Sequence, residues 1–292
     1  MYKNYYCLVA GLPEIVPEEK KLPFSSIQFR EQLKEELDPS DFALVRQLFF
    51  RFDHKNILNL FFHTNGKADD IIWDQRGNFS KEDLEPLTDR KELDLFDFSG
   101  FPDYFQQFIF LMHSEEPPTQ KVEASRMLTA GYYKLLESSN NSFVRETSHF
   151  LRIRNNIITA LNIRKHQIKA ENAFIGDDEI SDALKKSRVR DFGLATEVDF
   201  IEELIQIFEI DNLRDRELRL DMQLWDFIEN TTFFNYFSIE RILAFLMKLF
   251  IAERWIELNP QKGREMFEKI FTQIKTGFKF PEEYTLTYGK KR

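Results

Sequence analysis

The chain has 292 residues, 42% hydrophobic and 30% charged, a balance that belongs to folded rather than disordered chains. Its formal charge of −9 and isoelectric point near 5.3 argue against wholesale binding to a polyanion such as nucleic acid. Phenylalanine is abundant, 31 against 9 Tyr and 3 Trp, so thick apolar layers are expected, with some rings left for docking surfaces.

The N-terminal MYKNYYCLVAGLPEIVPEE carries an apolar stretch from Tyr5 to Leu12. It is too short, and too soon followed by Pro13 and Glu14, for a signal peptide, and reads as a buried first strand or helix turn. The single cysteine, Cys7, cannot form an internal disulfide, which fits a reducing compartment, and its apolar neighbours lead to the expectation of a small buried thiol. SSIQFREQLKEEL starts on a Ser cap and ends before Pro39; in the following SDFALVRQLFFRFDHKNILNLFF, Phe42, Val45, Phe49 and Phe52 recur at helical spacing. Residues 63–78 contain two Gly and many turn formers and read as a loop or a short extended excursion. Ser80, with Asp83 three residues on, predicts a capped brief helix.

PDYFQQFIFLMHSEE predicts an apolar helix closed by Pro117 and Pro118, the best boundary in the chain. It separates an N-terminal helical lobe, 1–116, from C-terminal lobes, 119–292, with a sub-boundary near 190–197, all in one integrated unit. Helical segments follow in TQKVEASRMLTAGYYKLLESS, in a long stretch holding SHFLRIRNNIITALNIRKHQ, and in GDDEISDALKK, EVDFIEELIQIFE and DNLRDRELRLDMQLWDFIE. SIERILAFLMKLFIAERWIEL and PQKGREMFEKIFTQIKTG complete them, and YGKKR reads as a frayed tail. About ten helices with short joints predict an all-α fold of packed bundles, without an internal repeat of short period. The apolar run from Phe237 is broken by Glu240, Arg241, Lys248, Glu253 and Arg254, so it falls short of the roughly 20 mostly apolar residues a spanning helix needs. The expectation is a soluble, cytoplasmic chain.

No phosphate loop, dinucleotide fingerprint, zincin motif or nucleophile elbow is present. The five histidines, His54, His63, His113, His149 and His166, show no metal-ligand spacing. Two aspartate clusters stand out: Asp69, Asp70 and Asp74, and Asp177, Asp178 and Asp182. Paired acidic clusters in an all-α chain invite comparison with isoprenoid synthases, whose aspartates hold magnesium diphosphate. Here the last Asp falls five residues after the first rather than four, which rotates it by roughly 100° off the shared helix face. DQRGNFSKEDLE spans twelve residues between acidic ends, as a calcium loop does, but has Arg76 at the third position and Phe79 where Gly is required. No catalytic residue, cofactor or metal ligand is assigned.

Residues 143–170 carry six Arg or Lys (145, 152, 154, 164, 165, 169) against Glu146, a local +5 that leaves −14 on the rest of the chain. On a helical wheel Phe143, Phe150, Ile153, Ile157 and Leu161 form one stripe, with Leu151 and Ile158 on a second apolar edge. Arg145, His149, Arg152 and Asn156 line a narrow remaining edge and are the candidate protein-interface residues.

FVRETSHFLRIRNNIITALNIRKHQ is similar to the signature helix of the C/d subunit family of V/A-type rotary ATPases, through Glu146, Asn156, Ile157, Ile163 and Arg164. The segment from WDFIENTTFFNYF to GREMFEKIF resembles that family's repeated bundle unit, with Glu240-Arg241 preceding its apolar helix. The start, MYKNYYCLVAGLPEI, resembles an uncharacterised bacterial family associated with V-type ATPase operons. The resemblance implies three pseudo-repeated helical lobes forming a funnel, without catalysis or cofactor. Such a subunit sits at the inner face of the membrane, held there through protein partners alone. It receives the central stalk on the c-ring and couples rotation to ion transport. Alternatives are a magnesium-dependent enzyme acting on an isoprenoid diphosphate, and an adaptor for an unrelated protein.

Overall fold

The computed structural model describes residues 4–18, 21–63, 71–168 and 172–258, together with 264 and 268. Over these residues the chain is all-helical, with twelve α-helices, one 3-10 turn and no strand. The first helix, α1 (Tyr6–Ala10), is a surface turn and a half that buries Leu8. Cys7 is exposed, which corrects the expected buried thiol: a helix this short presses one side chain inward, and Leu8 takes that place.

Helix α2 (Ser26–Glu36) opens on a capping box in which Ser25 and Gln28 satisfy each other's backbone N–H groups. Helix α3 (Pro39–Phe61) has proline at its first position, where the missing N–H is not needed. After a loop come α4 (Lys81–Leu84), capped reciprocally by Ser80 and Asp83, a 3-10 turn (Glu85–Thr88) and α5 (Arg90–Leu93). Helices α6 (Asp103–Met112) and α7 (Lys121–Glu137) flank the two prolines and pack on each other. A Cβ at Gly131 would meet the Tyr104 side chain at 2.7 Å, so the missing side chain there lets α7 approach α6.

Helix α8 (Ser142–His166) is capped by Asn141 and ends on Gln167 in the left-handed region, φ 53°. Helices α9 (Glu179–Lys186), α10 (Ile201–Phe208), α11 (Leu213–Thr231) and α12 (Ile239–Glu257) follow. Of the helix expected in PQKGREMFEKIFTQIKTG, Arg264 and Glu268 are helical; its other residues and the tail YGKKR lie outside the described residues.

Buried apolar side chains form three clusters. The largest joins α2, α3, α7, α8, α11 and α12 around Phe29, Phe49, Phe52 and the inner face of α12. A second lies between α8, α9 and α10 and takes in Phe192, Leu194 and Val198. The third joins the end of α3 to α4, α5, α6 and the start of α7, so apolar packing runs across the Pro117–Pro118 joint. Many of the rings meet edge to face, as Phe49 and Phe52 do with Phe250 at centroid distances of 5.1 and 5.2 Å. Among the described residues no helix is long and apolar enough to cross a membrane.

Candidate functional site

The predicted stripe of α8, Phe143, Phe150, Ile153, Ile157 and Leu161, is buried. Its polar edge divides. Arg145 and His149 are exposed, whereas Arg152 and Asn156 are buried and committed to the chain itself. Arg152 Nε donates to Glu137 at 2.7 Å and Nη1 to Asp178 at 2.5 Å. Gly176, at φ +97°, passes so close that a Cβ there would stand 2.7 Å from Arg152 Nη1. Asn156 Nδ2 donates to the Ile175 carbonyl at 2.8 Å while its Oδ1 accepts from the Ile175 amide at 2.9 Å.

Asn56, one hundred residues earlier on α3, makes the same pair of bonds to Asp74: Nδ2 to the carbonyl at 2.9 Å, Oδ1 from the amide at 2.8 Å. In each case a buried Asn followed by Ile, on a long helix, grips the loop returning to a short helix, α4 or α9. The burial pattern of residues 52–57 recurs at 152–157 position for position. The Asn-Ile pairs 56–57 and 156–157 were the sequence signal for these two clamps. Removing one clamp leaves two backbone groups without partners, so Asn156→Ala is expected to cost about 2 kcal/mol. Hydrogen exchange at the Ile175 amide checks it, with a large loss of protection expected; unchanged protection would contradict the clamp.

Asp74, Asp178 and Asp182 of the aspartate clusters serve local structure. Asp69 and Asp70 lie outside the described residues, and Asp74 pairs with Arg76 at 2.8 Å. Asp178 caps α9 through the Ser181 amide at 2.8 Å while holding Arg152. Asp182 lies within ion-pair distance of Lys185 and Lys186 at 3.7 and 3.3 Å, and Asp177 is exposed. No three or more His, Cys, Asp or Glu side chains converge as a metal site among the described residues.

Two neighbouring buried groups on α3 make the fold pH-sensitive in opposite senses. Burial pushes the His54 imidazole, whose ring nitrogen meets the Tyr104 hydroxyl at 2.7 Å, down to about 3. Burial raises the Asp53 carboxyl to about 6, against the lowering effect of hydrogen bonds from Asn78 and the Phe79 amide. The unfolded chain takes up a proton at His54 near pH ~6.5 that the folded chain refuses, so this stability is lost as pH falls. Asp53 opposes it, because the folded chain keeps a proton through pH ~4–6 that the unfolded chain gives up. Between pH 7 and 4 the wild type is therefore expected to lose roughly 3 kcal/mol more than His54→Gln, which keeps a partner for Tyr104. Urea unfolding at the two pH values measures this; identical losses would contradict it.

One pole of the molecule exposes what a folded chain normally buries. The Thr231 and Thr232 hydroxyls donate back to the carbonyls of Phe227 and Ile228 at 2.8 and 2.7 Å and help close α11. The turn to α12 then presents Phe233, Phe234, Tyr236 and Phe237 at 65%, 79%, 65% and 39% exposure. Phe233 meets Phe234 edge to face at 4.9 Å, and Phe237 packs on exposed Tyr6 of α1 at 4.8 Å. The Tyr5 amide ties α1 to the Phe237 carbonyl at 2.6 Å, and the Tyr5 hydroxyl donates to Asp41. Phe237 is thus held against α1, while Phe233, Phe234 and Tyr236 stand exposed beside it.

Beside the rings, a cleft of about 940 Å³ opens between the start of α3, the α7–α8 turn and the start of α12. Three buried acceptor atoms in its lining residues, Gln47 Oε1, Ser238 Oγ and Glu240 Oε2, have no hydrogen-bond partner among the described residues. The other Glu240 oxygen accepts from Asn141 at 2.8 Å. Arg145 also lines the cleft and donates to the Ser139 carbonyl at 2.7 Å. Of the four sequence-nominated residues, Arg145 alone lines this cleft. The aromatic run had a signal, four rings in five residues between two helices, but composition does not separate docking rings from core rings.

Residues 2–278 match a family model described as Protein of unknown function (DUF2764). No curated protein and no solved structure matches the chain.

Proposed function

The chain belongs to the DUF2764 family, and from its aromatic pole and its resemblance to the C/d subunits we propose that it is a non-catalytic connector of a V/A-type rotary ATPase. In this reading it links the central stalk to the c-ring from the cytoplasmic, inner face of the membrane. It is held there by protein partners alone, without nucleic acid or cofactor. The observation that carries the proposal is the exposed run Phe233–Phe237 beside a polar cleft. Aromatic anchors beside a polar cleft have the composition of a protein interface core and its rim, and the cleft's Asp38, Asp41 and Glu240 carboxylates favour a basic partner segment. The paired Asn-Ile clamps support the reading as well, since a repeated helical unit is what the resemblance implies.

The test is co-purification. Tagged chain, produced with its host's rotary ATPase and recovered in mild detergent, is expected to bring down central-stalk and c-ring subunits in fixed proportion. Elution of the chain alone from extracts that contain the assembled ATPase would overturn the proposal. Recovery with an unrelated soluble protein would instead identify an adaptor.

A further inference from the structure

Away from the aromatic pole, α3, α7, α8, α11 and α12 line a partly open cavity of about 490 Å³, within the range of small-molecule sites. Its walls are mostly apolar, among them Leu48, Tyr132, Leu151, Leu224, Met247 and Phe250. Its polar lining includes two arginines that form no ion pair with a carboxylate among the described residues, Arg51 and Arg154. Arg154 is 8% exposed and uses Nη1 on the Leu220 carbonyl at 2.9 Å, but its Nε has no partner. Thr147 and Ser148, at 3% and 2% exposure, have hydroxyls without partners. Arg51 lines the same cavity over the Phe52 and Phe250 rings at 5.0 and 5.3 Å, with no carboxylate in ion-pair contact among the described residues. Arg254 is already neutralised by Asp221 at 2.6 Å and by Glu217.

Two guanidiniums outside ion-pair distance of any carboxylate among the described residues, beside mostly apolar walls, suit an anion that carries an apolar tail. Burial holds the Arg154 guanidinium below its ordinary pKa despite the nearby charge of Asp221, so an anion beside it would favour the charged form. Guanidinium forks match phosphate oxygens bidentately.

We propose that this cavity binds an alkyl phosphate, its phosphate between the Arg51 and Arg154 guanidiniums and its chain among the apolar walls. This is a binding site without chemistry: Asp221, the single carboxylate in the lining, is engaged by Arg254 and Trp255, leaving no acidic group to carry a metal. The site is separate from the pole and stands or falls independently of the connector reading.

The experiment is calorimetry and thermal unfolding of the full chain with decyl phosphate below its micelle concentration, beside decanoate, decanol and inorganic phosphate. Decyl phosphate is expected to bind and raise the melting midpoint, with decanol and inorganic phosphate at least tenfold weaker. Arg51→Met, a change at an accessible side chain, is expected to weaken binding about tenfold. Arg154→Lys preserves the charge but removes the fork, and is expected to do the same in a folded chain. Decanoate equal to decyl phosphate would replace phosphate by a carboxylate head and overturn the phosphate assignment. Equal binding of decanol, or affinity indifferent to both variants, would reduce the site to an apolar hole. No binding of any probe would overturn the proposal outright.

Discussion

In the proposed connector role, Phe233→Ser, Phe234→Ser and Tyr236→Ser combined are expected to weaken binding to the central stalk or c-ring at least a hundredfold, while leaving the unfolding midpoint nearly unchanged. The three rings are 65–79% exposed, so their removal takes little from the core. At an interface centre, aromatic anchors are worth about 2 kcal/mol or more each, non-additively, and a hundredfold is about 2.7 kcal/mol. The asymmetry between affinity and stability is the signature of docking residues. If binding survives the triple change, the pole is not the interface; if the fold collapses with it, the rings are core after all. Glu240→Gln tests the cleft separately, because it keeps the size and the Asn141 contact while removing the charge that a partner cation would meet.

Phe49→Ala is expected to cost about 4 kcal/mol, the range for a large aromatic removed from a closed core. Phe49 is fully buried, meets Phe250 edge to face at 5.1 Å and Phe52 at 6.0 Å, and carries the Arg30 guanidinium 4.7 Å from its centroid. It therefore helps join α2 and α3 to α12, helices far apart in the sequence. Phe110→Ala, at a half-exposed ring, is expected to stay within about 0.5 kcal/mol, since surface changes away from such features cost little. Urea unfolding of both variants decides it; equal losses would mean that the core is not organised around Phe49.

The helices were legible because their signals are local. Ser25 and Ser80 cap where their spacing to Gln28 and Asp83 says they should, and the apolar stripe of α8 is buried as its period demands. What escaped the sequence depends on distant residues. Arg152 and Asn156 share an edge with Arg145 and His149, but the returning segment before α9 covers that edge at only two of the four positions. The loop ahead of α4 follows buried polar side chains of α3, Asp53 and Asn56, whose inward direction no hydrophobic pattern announces. Cys7 lies in an apolar run that has too few turns to bury more than Leu8. Phe233 and Phe234 have the composition of core residues, and only the turn between α11 and α12 sets them outside.

A connector must transmit rotation, so the most direct measurement follows ATP hydrolysis and ion transport together in membrane vesicles from cells lacking this chain. The account predicts that hydrolysis persists while transport is lost, and that adding back purified chain, but not the Phe233/Phe234/Tyr236 triple variant, restores transport. Full transport in vesicles without the chain would contradict it.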